Sequence, residues 1–202
     1  MLNRRLFAAL TLGLAFAGAV RADIAPDAFV RQISGDVLAT AKTDKGIQSG
    51  DINKVIALVD AKVMPSVDFE AVTRSAVGPQ WRGASAEQRA QLQAQFKLLL
   101  VRVYAGALTQ LKDQTVEITK TQPVPGSNQV VVQSEVRGSG DPIKLDYRLA
   151  KSAAAWKIID VNVGGIWLVT SYRSQFSPIL SNGGVDALIA KLTEMNKSAA
   201  KS

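Results

Sequence analysis

The 202 residues contain no histidine and no cysteine. That absence removes a Ser-His-Asp triad, a thiol nucleophile and the common zinc sites at once. A carboxylate-only metal site or an Asp/Glu acid–base pair survives the elimination. Asp68, Asp146 and Asp160 are the carboxylates to weigh. A carboxylate base works when an apolar pocket raises its pKa. Alternation, however, puts Asp146 and Asp160 on the strand faces opposite their apolar neighbours, and Asp68 reads as a helix N-cap. The stretch "WKIIDVNVGGIWLVTSYRSQF", residues 156–176, raises a different chemistry. It alternates as far as Val163, breaks at Gly164-Gly165, and resumes as an apolar and aromatic run. Such side chains must be buried against the protein's own core or against a ligand.

A leader precedes the elements that position these groups. Arg4 and Arg5 form a basic n-region, and "LFAALTLGLAFAGAV" is an apolar h-region short for a bilayer span. Small residues at 20 and 22 suit cleavage after Ala22, with 17–19 as the weaker competitor. The expectation is a signal peptide over 1–22, export, and a periplasmic product. No cysteine follows the h-region, so a lipoprotein anchor is excluded. Cleavage takes Arg4, Arg5 and Arg21 from 24 Lys+Arg against 17 Asp+Glu, leaving +4. The cations are scattered and not interleaved with aromatics, so nucleic acid is not an expected partner. A mildly basic surface can favour anionic headgroups or an acidic partner, although ordinary solubility charge explains it more simply. Without disulfides the core alone must hold the fold. One domain over 23–196 can do that, followed by a tail, 197–202, expected to fray.

Periodicity supplies the elements. "APDAFVRQISGDVLATAK" reads as a helix with Phe29, Ile33, Val37 and Thr40/Ala41 on one face. "DKGIQSGD" reads as a loop. A second helix opens at Asp51 and presents Ile52, Val55, Ile56, Val59 and Val63 until Pro65 ends it. A third, shorter one stops at Gly78-Pro79. "SAEQ" at 85–88 is a capping box that opens a long helix to about Leu111. Its apolar arc is broad, so it should touch more than one layer. From Thr115 the period is two. "VEITKT", "QVVVQSEVRG", "IKLDYRLA" and "WKIIDVNV" form a four-stranded, mainly antiparallel meander with one apolar face. In the last strand Ile159, Val161 and Val163 are expected on that face. After Gly165 a short helix should carry Leu168, Tyr172 and Phe176. Ser177-Pro178 should open another, and Gly183-Gly184 should precede a last amphipathic helix. Helices, a meander, then helices predict an α+β fold with helices packed on one sheet face.

At this point the sequence resembles the MlaC, or toluene-tolerance, family of periplasmic phospholipid-binding proteins. The resemblance covers nearly all of the mature chain. One carrier of it is "VDFEAVTRSAVGPQWRGASAEQRAQLQAQFKLLLVRVYAGAL", with Asp68-Phe69, Gly78, Trp81, Gln88-Arg89, Phe96, Tyr104 and Leu108 in order. The other is "YRLAKSAAAWKIIDVNVGGIWLVTSYRSQFSPILSNGGVDALIAKL", with Trp156, Asp160, Gly165-Ile166, Tyr172-Arg173, Phe176, Gly184 and Leu188. Trp167 departs from the pattern, which can carry a small serine there; a bulky ring would reshape the local pocket. The resemblance implies an NTF2-like core with a lipid cavity between sheet and helices, and no cofactor beyond phospholipid as cargo. Its implied partners are an outer-membrane lipoprotein–porin complex and an inner-membrane ABC transporter with an MCE-domain ring. The implied role is to shuttle phospholipid between them and maintain outer-membrane lipid asymmetry.

The physics of such a role is simple. Two acyl chains expose roughly 30 methylenes, and at about 0.8 kcal/mol each a naked lipid would cost over 20 kcal/mol. A carrier must cover them with Leu, Val, Ile and aromatics while leaving the headgroup wet. The broad helix face and the apolar sheet face are the natural walls. Candidate lipid-lining residues are Phe96, Leu99, Leu100, Val103, Tyr104, Val132, Leu145, Tyr147, Val161, Val163, Leu168 and Tyr172. Tyrosines are favoured because a phenol can face acyl carbons and still wet its hydroxyl. Arg173 and Lys144 are the cations nearest to a phosphate role, with a solvated role the simpler reading. No catalytic and no metal-ligating residue is assigned. Two other functions compete: a periplasmic chaperone or adaptor that binds polypeptide, and an NTF2-like enzyme using a buried carboxylate.

Overall fold

The computed structural model describes residues 24–152 and 155–199. The predicted leader and the last residues of the tail lie outside them. Helix α1 is Pro26–Thr43, opened by Pro26 in its first turn. Its most buried residues are Val30, Ser34 and Ala41, so the helix is rotated by about one residue from the expected stripe. Residues 44–51 are not a plain loop. The Asp44 carboxylate accepts the N–H groups of Gly46 and Ile47 and closes a single turn, α2 (Lys45–Gln48), whose Ile47 is buried. Helix α3 (Ile52–Leu58) is capped by Asp51 as expected. It does not continue as an α-helix to Met64. It widens into a π turn at Val59–Val63 and tightens into a 3-10 turn at Met64–Ser66, where proline removes a donor.

Asp68 caps α4 (Phe69–Val77), and a 3-10 turn at Gly78–Gly83 buries Trp81. Helix α5 (Ala86–Thr109) begins with the complete Ser85/Gln88 capping box. The meander follows: β1 (Thr115–Pro123), β2 (Gln129–Arg137), β3 (Ile143–Ser152) and β4 (Ala155–Val163). A fifth strand, β5 (Ile166–Trp167), extends it to a sheet of order β1-β2-β3-β4-β5. The expectation of helix directly after Gly165 is therefore corrected. Gly164 (φ 60°) and Gly165 (φ 94°) both have the positive φ of a two-residue hairpin turn, and the chain pairs back onto Val163 and Asn162 before the helix starts.

Helix α6 (Leu168–Ser198) also corrects the pattern. Pro178 lies inside it and does not open a new helix. The row Tyr172, Phe176, Leu180 stays in phase across the proline and is buried against α4 and α5, which outweighs the lost hydrogen bond. The real break is at Gly184, whose φ 68°, ψ −161° is accessible to glycine alone at low cost. The helix continues through Lys197 and Ser198, two residues past the expected start of fraying.

Among the described residues the interior divides into three clusters. The first joins α4, the N-terminal half of α5 and α6 around Phe96, whose ring meets Tyr172 edge-on at 4.9 Å and Phe176 at 5.2 Å. The second holds Ala41, Ile47, Val55, Leu58 and Val101. The third seats Val30 of α1 on Val132, Leu149 and Ile158 of the sheet. A bulge in β4 shapes the third. Leu145 pairs with Val163 and Tyr147 with Val161, but Leu149 pairs with Ile158. Ile159 is the extra residue, so Ile158 takes its expected place in the apolar row.

Candidate functional site

A cavity of about 560 Å³ lies between the sheet and the helices, where the three clusters face one another. The meander contributes Leu145, Tyr147, Val161 and Val163, joined by Val116 and Val136 from β1 and β2. Opposite, α5 contributes Phe96, Leu100, Val101, Tyr104 and Leu108, and Leu111 follows just past its end. The α3 region and its π turn supply Val55, Leu58, Val59, Val63 and Met64. Phe69 and Val72 of α4 and Leu168 and Val169 of α6 also face the space. The size falls within the roughly 300–1,000 Å³ of ligand sites, and the lining is overwhelmingly aliphatic and aromatic.

Eight of the twelve expected lining residues reach this space: Phe96, Leu100, Tyr104, Leu145, Tyr147, Val161, Val163 and Leu168. Four do not. Leu99 is 3% exposed and belongs to the cluster between α5, α4 and α6. Val103 continues the Leu92–Phe96–Leu99 stripe past the cover of α4 and α6 and is 54% exposed. Val132 sits under α1 and is fully buried. Tyr172 is packed against Phe96 and Phe176. The broad arc of α5 thus serves three neighbours, and one turn of the helix decides which side chain meets which.

The missed lining includes residues of α1 and α3. Ile33, Ser34, Val37 and Leu38 line one side, and the π turn brings Val59 and Val63 in together. Their apolar spacing was visible, but nothing in it told a wall from a core contact. Trp167 does not narrow the cavity. It lies on the far side of β4, with the Arg148 guanidinium 4.5 Å from its ring centroid. Of the two candidate phosphate partners, Lys144 is exposed on β3, and the guanidinium of Arg173 lies against the Gly78 turn.

Few polar groups interrupt the lining. Lys97 pairs with Asp60 at 2.8 Å, linking α5 to the π turn. Asp160 is buried, contrary to the expectation from alternation, because β5 and the start of α6 fold over its face of β4. Its Oδ1 accepts the N–H of Val161 at 2.9 Å and of Val169 at 3.0 Å. Burial still raises its pKa above the ordinary carboxylate value, against the pull of those two donors and Arg148. The Tyr147 hydroxyl lies 3.3 Å from that of Ser34, and burial first, then Asp146, raises its pKa. Tyr172 is pushed up to about 12, mainly by burial and further by the neighbouring Tyr104. These phenols stay neutral across the physiological range.

An antiparallel meander, helices laid over it and an apolar chamber between the two layers define the class: an α+β cavity protein, consistent with an NTF2-like core. The family model described as MlaC protein matches residues 31–194, and the chain belongs to the MlaC family. It is 23% identical over 177 residues to the intermembrane phospholipid transport system binding protein MlaC of Haemophilus influenzae, covering 86% of this chain and 83% of that protein. It is 24% identical over 162 residues to the toluene tolerance protein ttg2D of Pseudomonas putida, covering 80% and 75%. A solved structure superposes with a TM-score of 0.82 at 42% identity, over 86% of this chain and 98% of the other. That structure is the phospholipid-binding protein of Ralstonia solanacearum in complex with a phospholipid.

Proposed function

We propose that this chain is a periplasmic phospholipid carrier. It holds acyl chains in the cavity between sheet and helices and shuttles lipid between an outer-membrane lipoprotein–porin complex and an inner-membrane ABC transporter with an MCE-domain ring. The observation that carries the reading is the apolar cavity itself, in a chain 42% identical to a protein solved with a phospholipid. The physical logic agrees. Aliphatic walls replace the bilayer interior, so covering the chains removes the cost of about 0.8 kcal/mol per exposed methylene without demanding tighter binding than a membrane gives. Near-balance lets loading and unloading both proceed. The leader over 1–22 accounts for the compartment.

Among the described residues, Asp160 is the one that bears on an enzyme, since it is buried beside the cavity with a raised pKa. Its Oδ1 is committed to two backbone N–H groups, where it fastens β4 to the first turn of α6. We read it as a clasp and the protein as a non-enzyme.

Native mass spectrometry of protein purified from cells tests the carrier. The expected result is co-purified species of phospholipid mass that are lost on organic extraction. Full occupancy by some other ligand, with no phospholipid, would overturn the reading.

A further inference from the structure

Ser34 and Tyr147 form a part-buried hydroxyl pair in the cavity wall. Ser34 stands on α1 in the buried stripe that otherwise carries Val30 and Ala41, and it is 8% exposed. Tyr147 rises from β3 between Val132 on β2 and Val161 on β4. The two oxygens are 3.3 Å apart, longer than the roughly 2.7–2.8 Å common between hydroxyls.

Two hydroxyls carry two O–H donors, and their mutual contact uses one. Among the described residues the second has no acceptor. Elsewhere on α1, Thr40 and Thr43 donate to the carbonyls of Asp36 and Ala39, one turn back; Ser34 makes no such bond to Val30. A part-buried donor that faces an aliphatic wall is better satisfied than left unpaired, and the neighbouring aliphatic side chains offer it no acceptor. The charged lining groups are engaged with other partners, Lys97 with Asp60 and Asp160 with backbone N–H groups.

We infer that Ser34 and Tyr147 together donate a hydrogen bond to a carbonyl oxygen of the cargo, the acyl ester of a phospholipid. The inference rests on the carrier reading and adds a preference to it. A polymethylene chain has no acceptor, so the pair is useless to the bulk of the lipid. The ester carbonyl is the strong acceptor at the head of each acyl chain, and an ether-linked lipid of the same chains and headgroup lacks it. A site that donates here tells the two linkages apart and fixes how far a chain enters.

The test uses delipidated full-length mature protein and two phosphatidylethanolamines of equal chain length, one diester and one diether, competed in native mass spectrometry. The wild type is expected to prefer the diester about three- to tenfold, the effect of one net hydrogen bond. Tyr147→Phe should abolish that preference, and Ser34→Ala should reduce it. Thermal melts of both variants check the fold. Equal affinity of the wild type for both lipids overturns the inference and leaves the carrier intact, as does a preference that survives in both variants. Binding of neither lipid overturns the carrier reading and this inference with it.

Discussion

Val161→Trp separates a cavity from a core. Val161 faces the chamber from β4, paired with Tyr147 across β3. An indole there adds about seven heavy atoms to a wall that has open space before it. A chain lying against β4 then loses room for about three methylenes, which at about 0.8 kcal/mol each comes to about 2.4 kcal/mol. That is roughly a fiftyfold shift of lipid from carrier to membrane. The assay is equilibration of the variant with fluorescent-lipid vesicles, followed by separation and lipid-to-protein quantification. A thermal melt run beside it should show little change, because the ring fills space already present. Leu99→Trp is the control. Leu99 is 3% exposed in the packed cluster of α4, α5 and α6, so a larger ring must displace its neighbours at about 1–3 kcal/mol of stability. If Val161→Trp carried as much lipid as the wild type, the wall assigned to β4 would be wrong. If it unfolded as readily as Leu99→Trp, the space would be a core that simply packs loosely.

Three further outcomes are expected. Burial raises the Asp160 pKa in the folded state, so the native protein binds that proton more tightly than the unfolded chain. Its contribution to stability therefore declines as pH rises from about the ordinary carboxylate value through the folded pKa, then levels off. Asp160→Asn keeps an oxygen for Val161 and Val169 and should flatten that slope; urea midpoints across about pH 4 to 7 with an unchanged slope would refute the assignment. Gly184→Ala meets no atom within 4 Å, so its cost is backbone strain alone, about 1–3 kcal/mol, read as a lower urea midpoint. Gly183→Ala should cost stability for a different reason, since its Cβ would lie 2.6 Å from that of Ala187.

Local signals in the chain spoke clearly about local structure. The capping box at Ser85, the caps at Asp51 and Asp68 and the four alternating strands are short-range hydrogen-bonding and packing rules, and each stands where its residues put it. The errors came where tertiary packing overruled a local rule. Pro178 stops a helix in isolation, but the Tyr172–Phe176–Leu180 row buries enough surface to carry the helix across it. The bulge at Ile159 exchanges which isoleucine faces inward, and no period-two count can register an extra residue. Asp160 looked solvent-facing because alternation knows two faces of a strand but not what is laid over the second one.

The cavity is a harder object to read, because a wall and a core are made of the same residues. Leu99 and Leu100 are adjacent on α5 and chemically identical, yet one is sealed among α4 and α6 and the other faces open space. Hydrophobic patterning reports that a side chain leaves water; it does not report whether protein or ligand replaces the water. What distinguishes the two is volume left unfilled, and that depends on how three separately packed clusters are held apart. The bulged β4, the π turn at Val59–Val63 and the rotated α1 all line that space. The most informative residue in the wall is therefore one that hydrophobic patterning discards. A serine at 34 breaks the apolar stripe of α1, and an all-protein core would favour an aliphatic side chain there. Its place opposite the Tyr147 hydroxyl makes sense when the space beside it holds a molecule that brings its own acceptor.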